Sequence, residues 1–529
     1  MTGGKLSSVP RSRLVILIVV CAVALSGCLA SPLKLFGGYL PRPSHTYADE
    51  PSPDRPIEAG ISQAEPPGFA NALGDSVKDY AGQELTWSDC DGYQCATFLA
   101  PLDWTDPGAQ AITIAMKMRP ASVGPYQGVL MVNPGGPGGS AQDYVDAIPV
   151  SGLEGFDVIG LDSRGSGQST PVVCGTGPQT DAYFDTDLSP DDQAERDALI
   201  SAQQAFDQQC RDNSGALLDH ISTIETIYDY ELARKLMGAD KISFYGTSYG
   251  TFLGAVYAQL YPKNVRRMVL DSAIDPRPDE EVTQAEGFDR SLRAFADWCG
   301  SVQCGLGADE QSVIDTITGF LDGLDSSPLP TKDGRLLTQS QALSGILLYM
   351  YDDADAYPEL SSLLQYTMET GDGSYLLQVA DAMNDRNDDG SYGSLAYSFP
   401  AISCADWGDK GVQDAFDQWT QDEQAAPIVG TYSGPSLVCP LWTAKAAPAI
   451  DFDGKGAPPI LILQNTGDPA TPYEDGEALA AELESATLVT RDAPGHGVYD
   501  AGSQCIDWIV VDYLVNGTVP PDGTRCTDG

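Results

Sequence analysis

Three loops of this 529-residue chain hold the residue types needed for nucleophilic acyl transfer. Ser248 stands at the centre of Gly246-Thr247-Ser248-Tyr249-Gly250. A serine hydroxyl attacks a carbonyl only when a base within hydrogen-bond reach takes its proton and an acid orients that base. The chain has three histidines, His45, His220 and His496. His45 falls in the Pro-rich stretch "PRPSHTYADEPSPDRP", and His220, in "LLDHIST" beside an expected helix, reads as structural. His496, in the Gly-rich "DAPGHGVYD" just after the β-prone run "ATLVT", is the candidate base. Asp468, in "PILILQNTGDPATP", is the candidate acid, although alone it would read as a turn-forming aspartate before Pro469. The loop "MVNPGGPGGSAQ" supplies glycines whose backbone amides can approach a ligand. One amide from Gly135 or Gly136, with that of Tyr249, could hold a tetrahedral oxyanion, at about 3 kcal/mol per donor. A phosphate-binding loop is the rival reading, and no lysine follows the glycines to support it.

These loops need elements that bring them together. Ile242 to Tyr245 is a short β-prone run, and "YGTFLGAVYAQLY" repeats apolar residues at three- and four-residue steps, so Ser248 falls between a strand and a helix. A sharp turn there would strain the serine backbone and expose its hydroxyl above a sheet, with glycines on either side relieving steric clash. Further apolar runs read as strands: Gly128 to Val132, Phe156 to Leu161, Arg267 to Leu270, Pro459 to Leu463 and Ala486 to Thr490. Continuous apolar strands separated by helical patterns predict an α/β fold with a mainly parallel sheet covered on both faces, and chemistry at the carboxyl ends of its strands. The strand pattern stops after Leu270 and resumes near Pro459, with helical stretches such as "AEGFDRSLRAFADWC" between. Residues 276–455 therefore read as an inserted, mostly helical cap between core segments 81–275 and 456–529. A separate downstream domain is the alternative.

Lys5, Arg11 and Arg13 precede the apolar run Leu14 to Leu25, the pattern of a secretory signal. Leu25-Ser26-Gly27-Cys28 resembles a lipobox, so residues 1–28 are expected to be a lipoprotein signal with Cys28 lipidated; an uncleaved anchor is the alternative. Residues 29–80, rich in Pro, Gly, Ser and acidic residues, read as a flexible tether. A formal net charge of −46 disfavours nucleic acid and anionic membrane as partners. Twelve cysteines include Cys21 and Cys28 and leave an even ten, which in an exported chain implies disulfides. Sequence does not fix their connectivity. Pairing sequential neighbours gives five compact loops: Cys90 with Cys95, Cys174 with Cys210, Cys299 with Cys304, Cys404 with Cys439, and Cys505 with Cys526. Scattered cysteines and few histidines speak against a metal site, and no cofactor is expected.

"NPGGPGGS", "DVIGLDSRGSGQS", "YGTSYGT", "TGDPATP" and "PGHG" resemble the α/β-hydrolase family of prolyl and tripeptidyl aminopeptidases, in particular its exported actinobacterial members. "AISCADW" and the end "CIDWIVVDYLVNGTVPPDGTRC" are similar to that family's C-terminal portion, here about 400–526. The likeness runs from about Trp87 to Cys526. It implies Ser248 as nucleophile, Asp468 as acid and His496 as base, in the serine, acid, histidine order of α/β-hydrolases. It also implies peptide substrates, with cap carboxylates meeting the substrate ammonium; Asp406 is the candidate. Pro134 departs from the His-Gly-Gly-Pro-Gly of prolyl iminopeptidases, which argues against strict proline specificity. The reading is an exported, monomeric, cell-surface serine exopeptidase that releases short peptides, tripeptides in particular, and touches membrane only through its lipid anchor. A secreted esterase or lipase of the same fold is the alternative, and a non-catalytic surface binding protein a further one.

Overall fold

The computed structural model describes residues 68–277, 282–450 and 452–527. The expected signal segment, Cys28 and the expected tether up to residue 67 lie outside the described residues. The last part of the expected tether is folded. Strand β1 (Ala70–Asn71) pairs antiparallel with β4 (Gln110–Arg119), and the short helix Val77–Ala81 buries Tyr80 completely. Tyr80 also donates its hydroxyl to the Pro107 carbonyl at 2.9 Å. A polar composition concealed one apolar anchor.

Eleven strands among the described residues form one sheet. Besides β1 and β4 they are β2 (Ser88–Cys90), β3 (Tyr93–Pro101), β5 (Gly128–Asn133), β6 (Phe156–Leu161), β7 (Ile242–Thr247), β8 (Val265–Asp271), β11 (Ile460–Gly467), β12 (Ala486–Pro494) and β13 (Thr524–Cys526). Two short strands of the insertion, β9 (Leu329–Pro330) and β10 (Leu336–Leu337), pair only with each other. The order across the sheet is β13-β12-β11-β8-β7-β5-β6-β4-β3-β2. From β13 to β6 neighbours run parallel, whereas β4, β3 and β2 add an antiparallel edge. All six expected strand runs are present, with β7 and β11 extending into the turns that follow them.

The apolar runs are continuous because the sheet is covered on both sides. Successive residues feed opposite faces. Met131, Phe244, Leu270 and Ile462 enter the core on one face, while Leu130, Val132, Tyr245, Val269, Leu461 and Leu463 enter the core on the other. The parallel pairing brings the ends of β5, β7, β8, β11 and β12 to one edge, since Asn133 lies opposite Gly246, Thr247 opposite Asp271, and Leu463 opposite Asp271.

Between β8 and β11 the insertion divides into two packing units. Helices from Gln284–Val302 to Ser374–Met383, joined by Ile428, Val429 and Tyr432, enclose a core of their own around Phe295, Ile317, Ile346 and Leu360. In Gln284–Val302 the buried Phe288, Leu292, Phe295, Ala296 and Cys299 follow helical spacing along one face. The rest of the later stretch packs elsewhere. The helix Leu395–Asp406 sends Ala401, Ile402 and Cys404 into the main core, with Trp442 and Phe452 packed there too. The single helical cap expected over 276–455 is thus a cap plus a strap laid on the hydrolase core. All five cysteine pairs form as sequential neighbours, and Cys404–Cys439 closes the strap.

The loop after β6 is fixed by a buried ion pair. All five N–H groups of the fully buried Arg164 are used: Nε and Nη2 on the Asp229 carboxylate (2.7 and 2.8 Å), the others on the carbonyls of Pro101, Leu102 and His220. Removing one partner leaves a charge stranded in a low-dielectric interior. Arg164→Met is therefore expected to lower unfolding stability by about 3–5 kcal/mol in denaturant titrations, and Arg164→Met/Asp229→Leu to recover most of it. A loss below about 1 kcal/mol in the single variant would show that the Asp229 carboxylate finds another partner.

Candidate active site

Ser248 occupies a turn that its backbone would not choose alone. It has φ 58° and ψ −127°, between the end of β7 and the helix Tyr249–Leu260. For a residue with a Cβ, such geometry costs about 1–3 kcal/mol and persists where surrounding structure enforces it. Here the enforcement is steric. A Cβ on Gly246 would collide with the Gly250 carbonyl, one on Gly250 would lie 2.8 Å from the Asn133 carbonyl, and one on Gly135 only 2.5 Å from that of Thr247. Ser248 N donates to the Asp271 carbonyl at 2.9 Å, and Ser248 O accepts from Thr251 N and Oγ1 at 2.8 and 2.7 Å.

His496, just beyond β12, directs Nδ1 at both oxygens of Asp468, 2.9 and 3.0 Å away. The Asp468 carboxylate also accepts from the amides of Ala470 and Thr471, each at 3.0 Å. A proton on Nδ1 leaves Nε2 able to accept. Ser248 and His496 line the same cavity, of about 2500 Å³. They are not hydrogen-bonded to each other in this structure, a slack common where nucleophile and base await substrate. Burial presses the His496 pKa down, but the charge and hydrogen bond of Asp468, with the charge of Asp271, outweigh it and hold it above the ordinary value.

Several residues that position the histidine were not read from sequence. Asp271, at the end of β8, accepts from the amides of Val498 and Tyr499 (2.8 and 2.9 Å) and from the Tyr245 hydroxyl (2.5 Å). Asn465 Nδ2 donates to the carbonyls of Gly495 and Gly497, and Ser272 Oγ accepts from Gly497 N. From the cap, the Tyr351 carbonyl accepts from His496 N at 2.8 Å, and the Tyr351 ring meets the imidazole edge-on, centroids 5.4 Å apart. Asp271 carried a signal, an acid directly at the end of an apolar strand; the carbonyl of Tyr351 could carry none.

Two expectations need correction. Gly135 N donates to Asn133 Oδ1 at 2.9 Å, so its amide is committed, and what the position contributes is room for the loop to press on the elbow. The amides left for an oxyanion are those of Gly136 and Tyr249, the latter at the first helical position, where no intrahelical acceptor exists. Asp406 does not face the cavity as an ammonium partner. Its carboxylate accepts from Thr223 N (2.7 Å), Thr223 Oγ1 (2.7 Å) and the Tyr249 hydroxyl (2.6 Å), behind the elbow. His220 does not line the cavity and pairs with Glu225 at 3.1 Å, in line with its structural reading.

The sequence matches the α/β-hydrolase fold family over residues 128–345 and the family described as TAP-like protein over 424–526. It is 31% identical over 481 residues to "Serine protease Hip1" of Mycobacterium tuberculosis, covering 84% of this chain and 91% of that one. It is 33% identical over 497 residues to "Carboxylesterase B" of the same organism, covering 87% and 93%. The chain belongs to the α/β-hydrolases with a TAP-like C-terminal region. A third relative of this serine hydrolase, the "Tripeptidyl aminopeptidase" of Streptomyces lividans, is 28% identical over 475 residues, covering 84% of this chain and 86% of that one.

Because Asp468 both orients the imidazole and raises its pKa, Asp468→Asn should act twice. A base must be neutral, so with His496 as the base the wild-type activity is expected to fall as pH drops through a value above the ordinary 6.5. In the variant kcat/KM is expected to fall by about 10³-fold or more, and the acid limb of its pH profile to move to lower pH. An unmoved limb would separate Asp468 from the titrating base.

Proposed function

We propose that this serine hydrolase is an exopeptidase that removes short peptides, tripeptides in particular, from free N-termini. Ser248 attacks the scissile carbonyl, His496 Nε2 takes its proton, and Asp468 steadies the imidazolium that forms. The amides of Gly136 and Tyr249 receive the oxyanion. The same imidazolium protonates the departing amine, and water repeats the sequence on the acyl-enzyme.

The observation that carries the exopeptidase reading is the charge of the cleft. Nine aspartates line it, and among its described lining residues there is neither lysine nor arginine. Bringing an ammonium group into a partly dry cleft is costly unless carboxylates replace its water. Asp385 and Asp143 are well placed for this beside the oxyanion loop. Asp385 accepts from Leu395 N at 2.9 Å, and a Cβ on Gly136 would lie 3.1 Å from the Leu395 side chain. Burial raises the Asp385 pKa, the charge of Asp143 raises it further, and bonds from the Leu395 and Ala396 amides oppose them. An incoming ammonium would relieve that repulsion. The relatives named serine protease and tripeptidyl aminopeptidase agree with this reading, and the five disulfides agree with an exported location. The relative named carboxylesterase supports the second reading, a secreted esterase using the same serine chemistry.

Ser248→Ala is expected to abolish hydrolysis with the unfolding midpoint preserved, since the side chain fills no core; full activity in that variant would refute the nucleophile. A free tripeptide amide substrate is expected to turn over at least about 100-fold faster than its N-acetylated form, equivalent to about 3 kcal/mol. Equal rates on the two, or short-chain esters strongly preferred over both, would favour the esterase.

A further inference from the structure

The strap carries a half-buried acid that the reaction above does not use. Asp406 ends the helix Leu395–Asp406, and the Cys404–Cys439 bridge ties that end to the strap. Its carboxylate spans two other elements. Oδ1 accepts from the amide of Thr223, which starts the helix Thr223–Leu236, and Oδ2 accepts from the Thr223 hydroxyl and from the phenol of Tyr249. The Thr223 and Tyr249 hydroxyls also touch each other. Tyr249 is the residue whose backbone amide opens the elbow helix toward the reacting carbonyl. Its ring is almost fully buried and wedged by Phe252 and Trp407, with centroids 5.9 Å from each. The phenol is thus fixed at one end by Asp406, and the oxyanion amide sits at the other end of the same residue.

We propose that Asp406 is a positioning residue for the oxyanion hole: its ionised carboxylate anchors the Tyr249 side chain and thereby sets the Tyr249 amide at the distance the tetrahedral intermediate requires. The proposal rests on the hydrolytic reading of Ser248 but not on the choice between peptide and ester substrates. It explains why a strap outside the cap is clamped onto the core beside the elbow. A carboxylate also accepts all three bonds at once, whereas a protonated acid must turn one oxygen into a donor against groups that donate.

The environment makes this anchor pH-sensitive near the working range. Burial raises the Asp406 carboxyl to about 6, against the lowering effect of the Tyr249 and Thr223 bonds. The titratable group in contact with it is the Tyr249 phenol, itself pushed well above its ordinary value by burial and then by the Asp406 charge, so it stays neutral. Tyr230, whose charge would act on Tyr249, is likewise raised by burial, and Thr223, which donates to the carboxylate from the neighbouring helix, carries no charge. Asp406 therefore protonates below about pH 6, after His496 has begun to protonate.

Steady-state kinetics of Asp406→Asn, Tyr249→Phe and the double variant test this, with Ser248→Ala as the control for the nucleophile. Tyr249→Phe keeps the ring packing and removes only the anchored hydroxyl. Each single variant is expected to lose about tenfold in kcat with KM changed less than about threefold, and the double variant to be no worse than the singles, because the two groups act as one unit. The acid limb of the wild type is expected to steepen to two protons below about pH 6, and that of Asp406→Asn to remain a one-proton limb. A kcat within twofold of wild type in Tyr249→Phe, multiplicative losses in the double variant, or an unchanged limb in Asp406→Asn would each overturn the proposal. Were Asp406→Asn to fail to fold, Tyr249→Phe alone would decide it. Activity surviving in Ser248→Ala would instead refute the reading of the site and leave the Asp406 data to be read separately.

Discussion

The site depends on one steric constraint: Ser248 must keep a positive φ while carrying a Cβ. Nothing in the side chain favours that conformation, and nearby groups close off relaxation. The Gly135 loop presses on the elbow from β5, Gly250 lies against Asn133, and Asp271 receives the Ser248 amide from β8. Three adjacent strands therefore hold one residue. Ser248 reaches the cavity and Tyr249 opens the helix beside it as consequences of the same backbone turn. A larger residue at 135, 246 or 250 would disturb nucleophile and oxyanion donors together.

Around this turn, three carboxylates, two of them buried and that of Asp406 half-buried, serve different ends because their partners differ. Asp468 meets an imidazole N–H and raises the base. Asp271 meets two backbone amides and a phenol, so it shapes the histidine loop and contributes only charge to the ring. Asp406 meets a hydroxyl, an amide and a phenol at the back of the elbow. Residue type alone does not separate the three. The groups that donate to each do so, and those donors come from parts of the chain distant in sequence.

This also marks what could be read in advance. The six central strands were legible because burial on both faces leaves continuous apolar runs, and the loops that carry Ser248, Asp468 and His496 were legible because each follows such a run and is rich in small residues. The antiparallel edge was less visible, since β2 and β3 mix polar and apolar residues. Asp406 was misplaced for a physical reason: it sits in the insertion by sequence, but the helix carrying it packs on the core, and only tertiary contact reveals which acids reach the cleft. Gly135 was half right. Its lack of a Cβ is required, while its amide is taken by the side chain of a residue two positions earlier.

The cap is joined to the chemistry through the base. His496 donates its own amide to the Tyr351 carbonyl, Arg491 from β12 reaches Asp353 at 3.4 Å, and the Tyr351 ring stands edge-on to the imidazole. The loop that carries the histidine is consequently shared between sheet and cap: Asp271, Ser272 and Asn465 hold it from the sheet and Tyr351 from the cap, while Asp353 holds the strand before it. A cap tethered only by its chain ends could shift without altering the base. This one cannot move far at Tyr351 without breaking its hydrogen bond to His496, so the part of the insertion that lines the cleft also helps fix that imidazole.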